Sequence, residues 1–401
     1  MNTPVEGSNI PAGLNNENQD VHTENTYRKQ RNFIKPLLII FCILTACTCL
    51  GITLLRNWIK PAVIPQINII DDSNTDDNFA RDMQNADELS KTVGAKKEES
   101  AFLKPEGNKE DESVGGGLQA PEGFTSDDRK ELFYTFLIIG LDEGNNTDTI
   151  ITASYDGVNH EANIISIPRD TLVDVKREIK KINAAYPVGA LNGGGKDGGI
   201  AQLQRELKTV IGFVPDFYIL VNFKSVIEMV DAVGGIEVNV PFTMNYDDPE
   251  QDLHIHISKG LQNLNGKDAL TFARYRKGNG GHNIISDYDR IEHQQTVIKA
   301  MLDKLLRPRN ILKISKFIDI FNENVYSNIN SGNMLWFAGE LNKISGTDAL
   351  SVYTMPTNGA SGEPMYYEYL DKNGVIDLVN NTINPFIKDI QSKDIDIIRF
   401  N

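Results

Sequence analysis

Cysteine is confined to Cys42, Cys47 and Cys49, so residues 50–401 carry no thiol and can build neither a disulfide framework nor a cysteine metal site. A basic excess is also missing. The net charge is −15, and residues 61–130 alone hold eight basic side chains against sixteen acidic ones. That balance disfavours a general nucleic-acid surface, which needs cations to neutralise phosphates. Gly193-Gly194-Gly195 lacks the strand–loop–helix lysine of a nucleotide-binding loop and is expected as a flexible loop. No Ser-His-Asp arrangement or nucleophile elbow stands out, and there is no internal repeat.

One long hydrophobic run is present. Leu37 to Leu55 is uncharged, close to the ~20 residues that cross a bilayer. Arg28, Lys29, Arg31 and Lys35 precede the run, against Arg56 and Lys60 after it, which orients the N-terminus to the cytoplasm. The expected order is a cytoplasmic segment (1–36), a transmembrane helix (37–58), an acidic flexible linker (59–130), a domain (131–390) and a tail (391–401). The cytoplasmic piece has no helix-turn-helix pattern, which disfavours a DNA-binding regulator. Leu44-Thr45-Ala46-Cys47 leaves a lipidated Cys47 as an alternative to the uncleaved anchor. Both readings put the domain at the outer face of one membrane.

Within the domain, the apolar run Phe133–Ile139 predicts a strand buried on both faces, and Thr149–Tyr155, Asn163–Ile167 and Phe217–Phe223 predict three more. Gly199–Ile211, Ser225–Ala232 and Arg290–Leu306 read as helices, the second stopped by Gly234-Gly235. Alternating strands and helices predict one α/β domain with helices on both sides of a sheet.

Several charged residues fall near strand ends, where α/β sheets gather ligand sites. Asp142 and Asp148 flank a short loop; they suit a shared hard cation such as Mg²⁺, but the spacing by itself favours turn formation. Arg169 leaves its strand directly after Pro168. The stretch TFARYR reads as a strand carrying Arg274 and Arg276 on one face, and two such guanidiniums suit bidentate phosphate contact. Asp287 and Arg290 lie three apart at a helix start. His254 and His256 alternate in a short strand, as metal ligands or as an exposed face.

FLIIGLD (136–142), TDT (147–149), SIPRD (166–170), KINAAY (181–186), VDAVGGIEVNVP (230–241), LNGKDALTFARYR (264–276) and DYDRIEHQQ (287–295) resemble the LytR–CpsA–Psr family in order and spacing. The resemblance implies a three-layer α/β/α sandwich around a central mixed sheet, with an apolar pocket for a polyprenyl-pyrophosphate lipid. It implies phosphotransfer of a glycopolymer, such as teichoic acid or capsule, to a peptidoglycan hydroxyl. Asp142 and Asp148 would bind Mg²⁺ (or Mn²⁺), and Arg169, Arg274, Arg276 and Arg290 the pyrophosphate. Asp287 and Gln294 would support the site or help activate the acceptor. Three positions depart from the family pattern: Asn146 and His293 where arginine is usual, and Asp289 where glycine is usual. Those departures keep open a non-catalytic lipid-binding regulator. A hydrolase releasing the polymer would use the same site.

Overall fold

The computed structural model describes residues 60–65 and 120–398, apart from 143, 250–252, 306–313, 342, 345–348 and 362–364. The expected anchor and most of the linker lie outside these residues. Among the described residues no helix is long and apolar enough to cross a membrane.

Strands β1 (Phe133–Leu141), β2 (Thr147–Asp156) and β3 (Glu161–Ile167) run as an antiparallel meander. The register of β1 on β2 shifts at Gly140/Leu141. A Cβ on Gly140 would lie 2.9 Å from Thr149 Cβ, so the close approach of the two strands requires glycine. Helices α1 (Ala185–Gly189) and α2 (Gly195–Ile211) then cross over to β4 (Phe217–Val221), which pairs in parallel with β1. The three glycines expected as a flexible loop instead belong to a π-helical turn, Ala190–Gly194, running into α2.

Helix α3 (Phe223–Ala232) is capped by Asn222, whose side chain accepts from Ser225 N, and stops at Gly234 and Gly235, with φ of 80° and 79°. Left-handed backbone of this kind is cheap only for glycine. Two small ribbons follow: β5 (Ile236–Val240) pairs with β8 (Gly260–Leu264), and β6 (Met244–Asp248) with β7 (Leu253–Ile257). Beyond them come α4 (Gly266–Arg274), α5 (Asp287–Leu305), α6 (Ile314–Asn324), β9 (Tyr326–Ser327), α7 (Ser331–Leu341), β10 (Leu350–Thr354), the ribbon β11 (Thr357–Ser361) with β12 (Tyr367–Leu370), and α8 (Lys372–Thr382). The main sheet has the order β10-β3-β2-β1-β4-β9 and is mixed.

The segment TFARYR is therefore not a strand. Asn265 caps a helix by accepting from Asp268 N, and Ala269, Leu270 and Phe272 bury its inner side. The apparent alternation covered too few residues to compete with that cap and helical stripe.

The period of two in β1 separates two environments. Leu137, Ile139 and Leu141 join Leu203 and Leu207 of α2 and Val375 and Val379 of α8 in a close-packed core. Ile395 and Ile397, in the stretch expected as a tail, belong to that core too. Phe136 and Ile138 point to the other face and border a cavity of about 1060 Å³, where Phe136 also packs against Phe217 and Phe337. The expectation of a strand buried on both faces thus holds fully for one face and in part for the other, where Tyr134 is buried and Phe136 and Ile138 border the cavity. The cavity is closed on its far side by α3 to α7, through residues such as Met229, Leu270, Val297, Met301, Phe321 and Phe337. A second core, including Val230, Val238, Ile255 and Phe272, ties α3, α4 and α5 to the ribbons.

Candidate active site

The cavity is apolar along most of its length but charged where β1 and β3 end. Asp142, Asn146, Asp148, Arg169, Arg274, Arg276, Lys277, Arg290 and Gln294 all line it. Its volume lies just above the roughly 300–1,000 Å³ usual for ligand pockets.

Four predicted residues form one ion network. Arg169 donates from Nη1 to Asp148 Oδ1 at 3.0 Å and lies 3.7 Å, through Nη2, from Asp287 Oδ2. Arg290 Nη2 lies 3.3 Å from Asp287 Oδ1. Pro168 ends β3 and directs Arg169 into this network, which Asp170 extends by pairing with Lys181 at 2.9 Å. Arg290 is buried, and the Nε atoms of Arg169 and Arg290 are buried without a hydrogen-bond partner among the described residues. Burial, with the positive charges of Arg169 and Arg276 nearby, pulls the Arg290 guanidinium below its ordinary pKa. Clustered, partly desolvated cations with unused donors are costly by themselves and complementary to an anion of high charge density.

The other predicted residues sit around that network. Arg274, at the last turn of α4, stacks over the Phe223 ring with its guanidinium carbon 4.3 Å from the centroid. Arg276 follows in an exposed stretch, so the two arginines reach the cavity from a helix end and a loop rather than from one strand face. Asp142 accepts from Gly144 N and Asn146 N at 2.8 Å each and from Asn146 Nδ2 at 3.0 Å. It shapes the loop, as its spacing favoured. Its Oδ2 and the carboxylate of Asp148 retain lone pairs, and one or two carboxylates plus substrate phosphate oxygens is the donor set Mg²⁺ prefers. The residues present therefore fit that ion.

The three departures from the family pattern have separate local reasons. Asn146 braces Asp142. Asp289 accepts from Ser286 N and Oγ at 2.7 Å each, while Asp289 N donates to Ser286 Oγ, a reciprocal cap on α5. Those hydrogen bonds hold its carboxyl below the usual range. His293 does not replace a guanidinium. It is buried, its ring 4.4 Å from that of Phe272, and burial lowers its pKa against the weaker pull of Asp289 and of a hydrogen bond to the Phe272 backbone.

Two residues beside the network were not anticipated. Glu368, buried on β12, accepts from Tyr288 Oη at 3.3 Å and from Tyr366 Oη. Nothing near it in sequence signals the site, which lies some eighty positions away. Lys277 adjoins Arg276, and the run of three cations in Arg274-Tyr275-Arg276-Lys277 could have pointed to it.

The LytR_cpsA_psr family matches residues 89–382. The chain belongs to this family. It is 32% identical over 213 residues to the polyisoprenyl-teichoic acid–peptidoglycan teichoic acid transferase TagV of Bacillus subtilis, covering 50% of this chain and 51% of TagV. The match thus spans about half the length of that relative. It is 27% identical over 271 residues to the regulatory protein MsrR of Staphylococcus aureus, covering 65% of this chain and 75% of MsrR. The crystal structure of B. subtilis TagV superposes with a TM-score of 0.51 at 27% identity, over 62% of this chain and 95% of that one. The mixed α/β fold is that of the family.

Proposed function

We propose that this member of the LytR_cpsA_psr family transfers a glycopolymer from a polyprenyl-pyrophosphate carrier to a peptidoglycan hydroxyl, at the outer face of the membrane to which residues 37–58 anchor it. The observation that carries the reading is a single cavity with two chemistries. Its apolar walls suit a long hydrocarbon, and its charged end presents two buried guanidinium Nε donors that lack a hydrogen-bond partner among the described residues. The transferase name of TagV supports the same reading.

In this reading Arg169 and Arg290 hold the pyrophosphate, and Arg274 and Arg276 neutralise its outer oxygens. Asp287, held between two arginines, and Gln294 orient the acceptor hydroxyl. The acceptor oxygen forms a bond to the phosphorus that bears the sugar; the P–O–P bond breaks and polyprenyl phosphate leaves. The acceptor proton passes to Asp287. Asp142 and Asp148 would hold Mg²⁺, whose chemistry is to neutralise charge on phosphate oxygens. Phosphoryl transfer is mainly positioning and charge neutralisation, and a water-poor cavity lets a sugar hydroxyl compete with water.

The test is transfer by the full-length chain from a labelled polyprenyl-pyrophosphate saccharide to peptidoglycan oligomers, with Mg²⁺ or with chelator. Metal-dependent coupled product, lost in Asp148→Ala and Arg276→Ala, supports the transferase. A second reading, a lipid-binding regulator without transfer, is favoured by Asn146 and His293 in place of arginine and by the regulatory name of MsrR. It predicts binding without product. Free saccharide phosphate would instead mark a hydrolase.

A further inference from the structure

The hairpin β6–β7 has two faces of different character. Tyr246, Asp248 and Leu253 turn toward the lipid-sized cavity. The opposite face carries Asp247, His254 and His256, all exposed, with one potential ligand atom from each lying within 4.8 Å of the others. The antiparallel register sets Asp247 directly across from His254, and Asn245 across from His256. We propose that Asp247, His254 and His256 form a binding site for a divalent transition ion of the Zn²⁺ class, separate from the phosphate-binding arginines and independent of the transferase reading.

The lone pairs of the cluster converge on one point. Asn245 Oδ1 lies 2.6 Å from His256 Nδ1, and an amide oxygen only accepts, so Nδ1 carries the hydrogen. In the neutral ring Nε2 then offers a lone pair, and it faces Asp247 Oδ1 at 3.2 Å. Two acceptors at that distance need either a proton on Nε2 or a metal cation between them, so an ion binding here takes the place of that proton. The same carboxylate oxygen lies 2.7 Å from His254 Nδ1. Ligand atoms around a tetrahedral ion with bonds of about 2.0–2.1 Å stand ~3.3 Å apart, so small side-chain rotations open the cluster around an ion. Two imidazoles and one carboxylate is a borderline-soft donor set that selects Zn²⁺, Co²⁺ or Ni²⁺ over Mg²⁺.

The outer hydrogen bonds are those of a built site. Asn245 fixes the His256 tautomer. Asn279 donates from Nδ2 to Asp247 Oδ2 at 3.3 Å and accepts from Asp247 N at 2.9 Å, which orients the carboxylate. An ion here would clip together two strands whose other face borders the cavity.

The test uses the full-length chain without a polyhistidine tag, titrated with Co²⁺ by visible absorption and with Zn²⁺ by calorimetry. One ion per chain is expected. Affinity should fall at least roughly 100-fold in the His254→Asn/His256→Asn double variant and roughly 10-fold in Asn245→Ala. The side chains are exposed, so the metal-free melting temperature of each variant should match that of the parent and exclude misfolding. Absence of binding up to about 1 mM ion, or unchanged binding by the double variant at unchanged stoichiometry, overturns the proposal.

Discussion

His293 shows how one position can keep its place in a motif and change its chemistry. An arginine there would extend a cation; the histidine is packed against Phe272, and burial disfavours its charged form. Its folded pKa lies below the unfolded value of about 6.5, so the unfolded chain binds the extra proton first. The contribution of His293 to stability is present above that unfolded value and is lost as pH falls from it through the lower folded value. Melting temperature measured from pH 7.5 down to 5 should therefore decline, and His293→Gln should flatten part of that decline. An identical slope in the variant would show that the ring is not held neutral by burial. Arg290 is the opposite case. It is buried with its charge retained, and its ion pair with Asp287 offsets part of the desolvation.

At the scale of elements, the position of the site depends on how α5 begins. Ser286 and Asp289 cap the helix reciprocally, and this places Asp287 and Arg290 on its first turn beside Arg169. Ser286→Ala should cost about 1 kcal/mol, read as a lower denaturant midpoint at an unchanged slope. A changed slope would mean that the helix start organises more than itself. The cap also accounts for the loss of the usual glycine at 289, which a sequence comparison alone would read as a weakened anion site. Helix α4 carries the related lesson. TFARYR alternates like a strand, but Asn265 starts a helix that takes in its first four residues, and the longer pattern prevails.

For the molecule as a whole, the sheet divides a packed core from a cavity. On the proposed reading, a polyprenyl phosphate fills the cavity and so binds only the folded chain. At a hundredfold excess over its dissociation constant it should add about 2.7 kcal/mol, a rise of roughly 5–10 °C in melting temperature. Met301→Trp, which places an indole in the cavity, should abolish the rise while the lipid-free protein melts as before. An equal rise in the variant would put the lipid elsewhere on the surface.

The sequence by itself determined the strands β1 to β4, the α/β class and the ordered charged motifs, because local apolar periodicity and strand-end placement are properties of short windows. It carried the signals for Arg169, Asp287 and Arg290 in the same way, as charges set where a strand ends and a helix starts. It did not show that part of the second face of β1 borders a cavity, since an apolar residue is written identically whether it meets a neighbour or a ligand. Nor did it show Glu368 beside Tyr288, His293 buried beside Phe272, or Asp247 completing a cluster with His254 and His256. Those pairings join residues far apart along the chain or depend on which side of a helix turns inward, and only the packing of one element on another decides them.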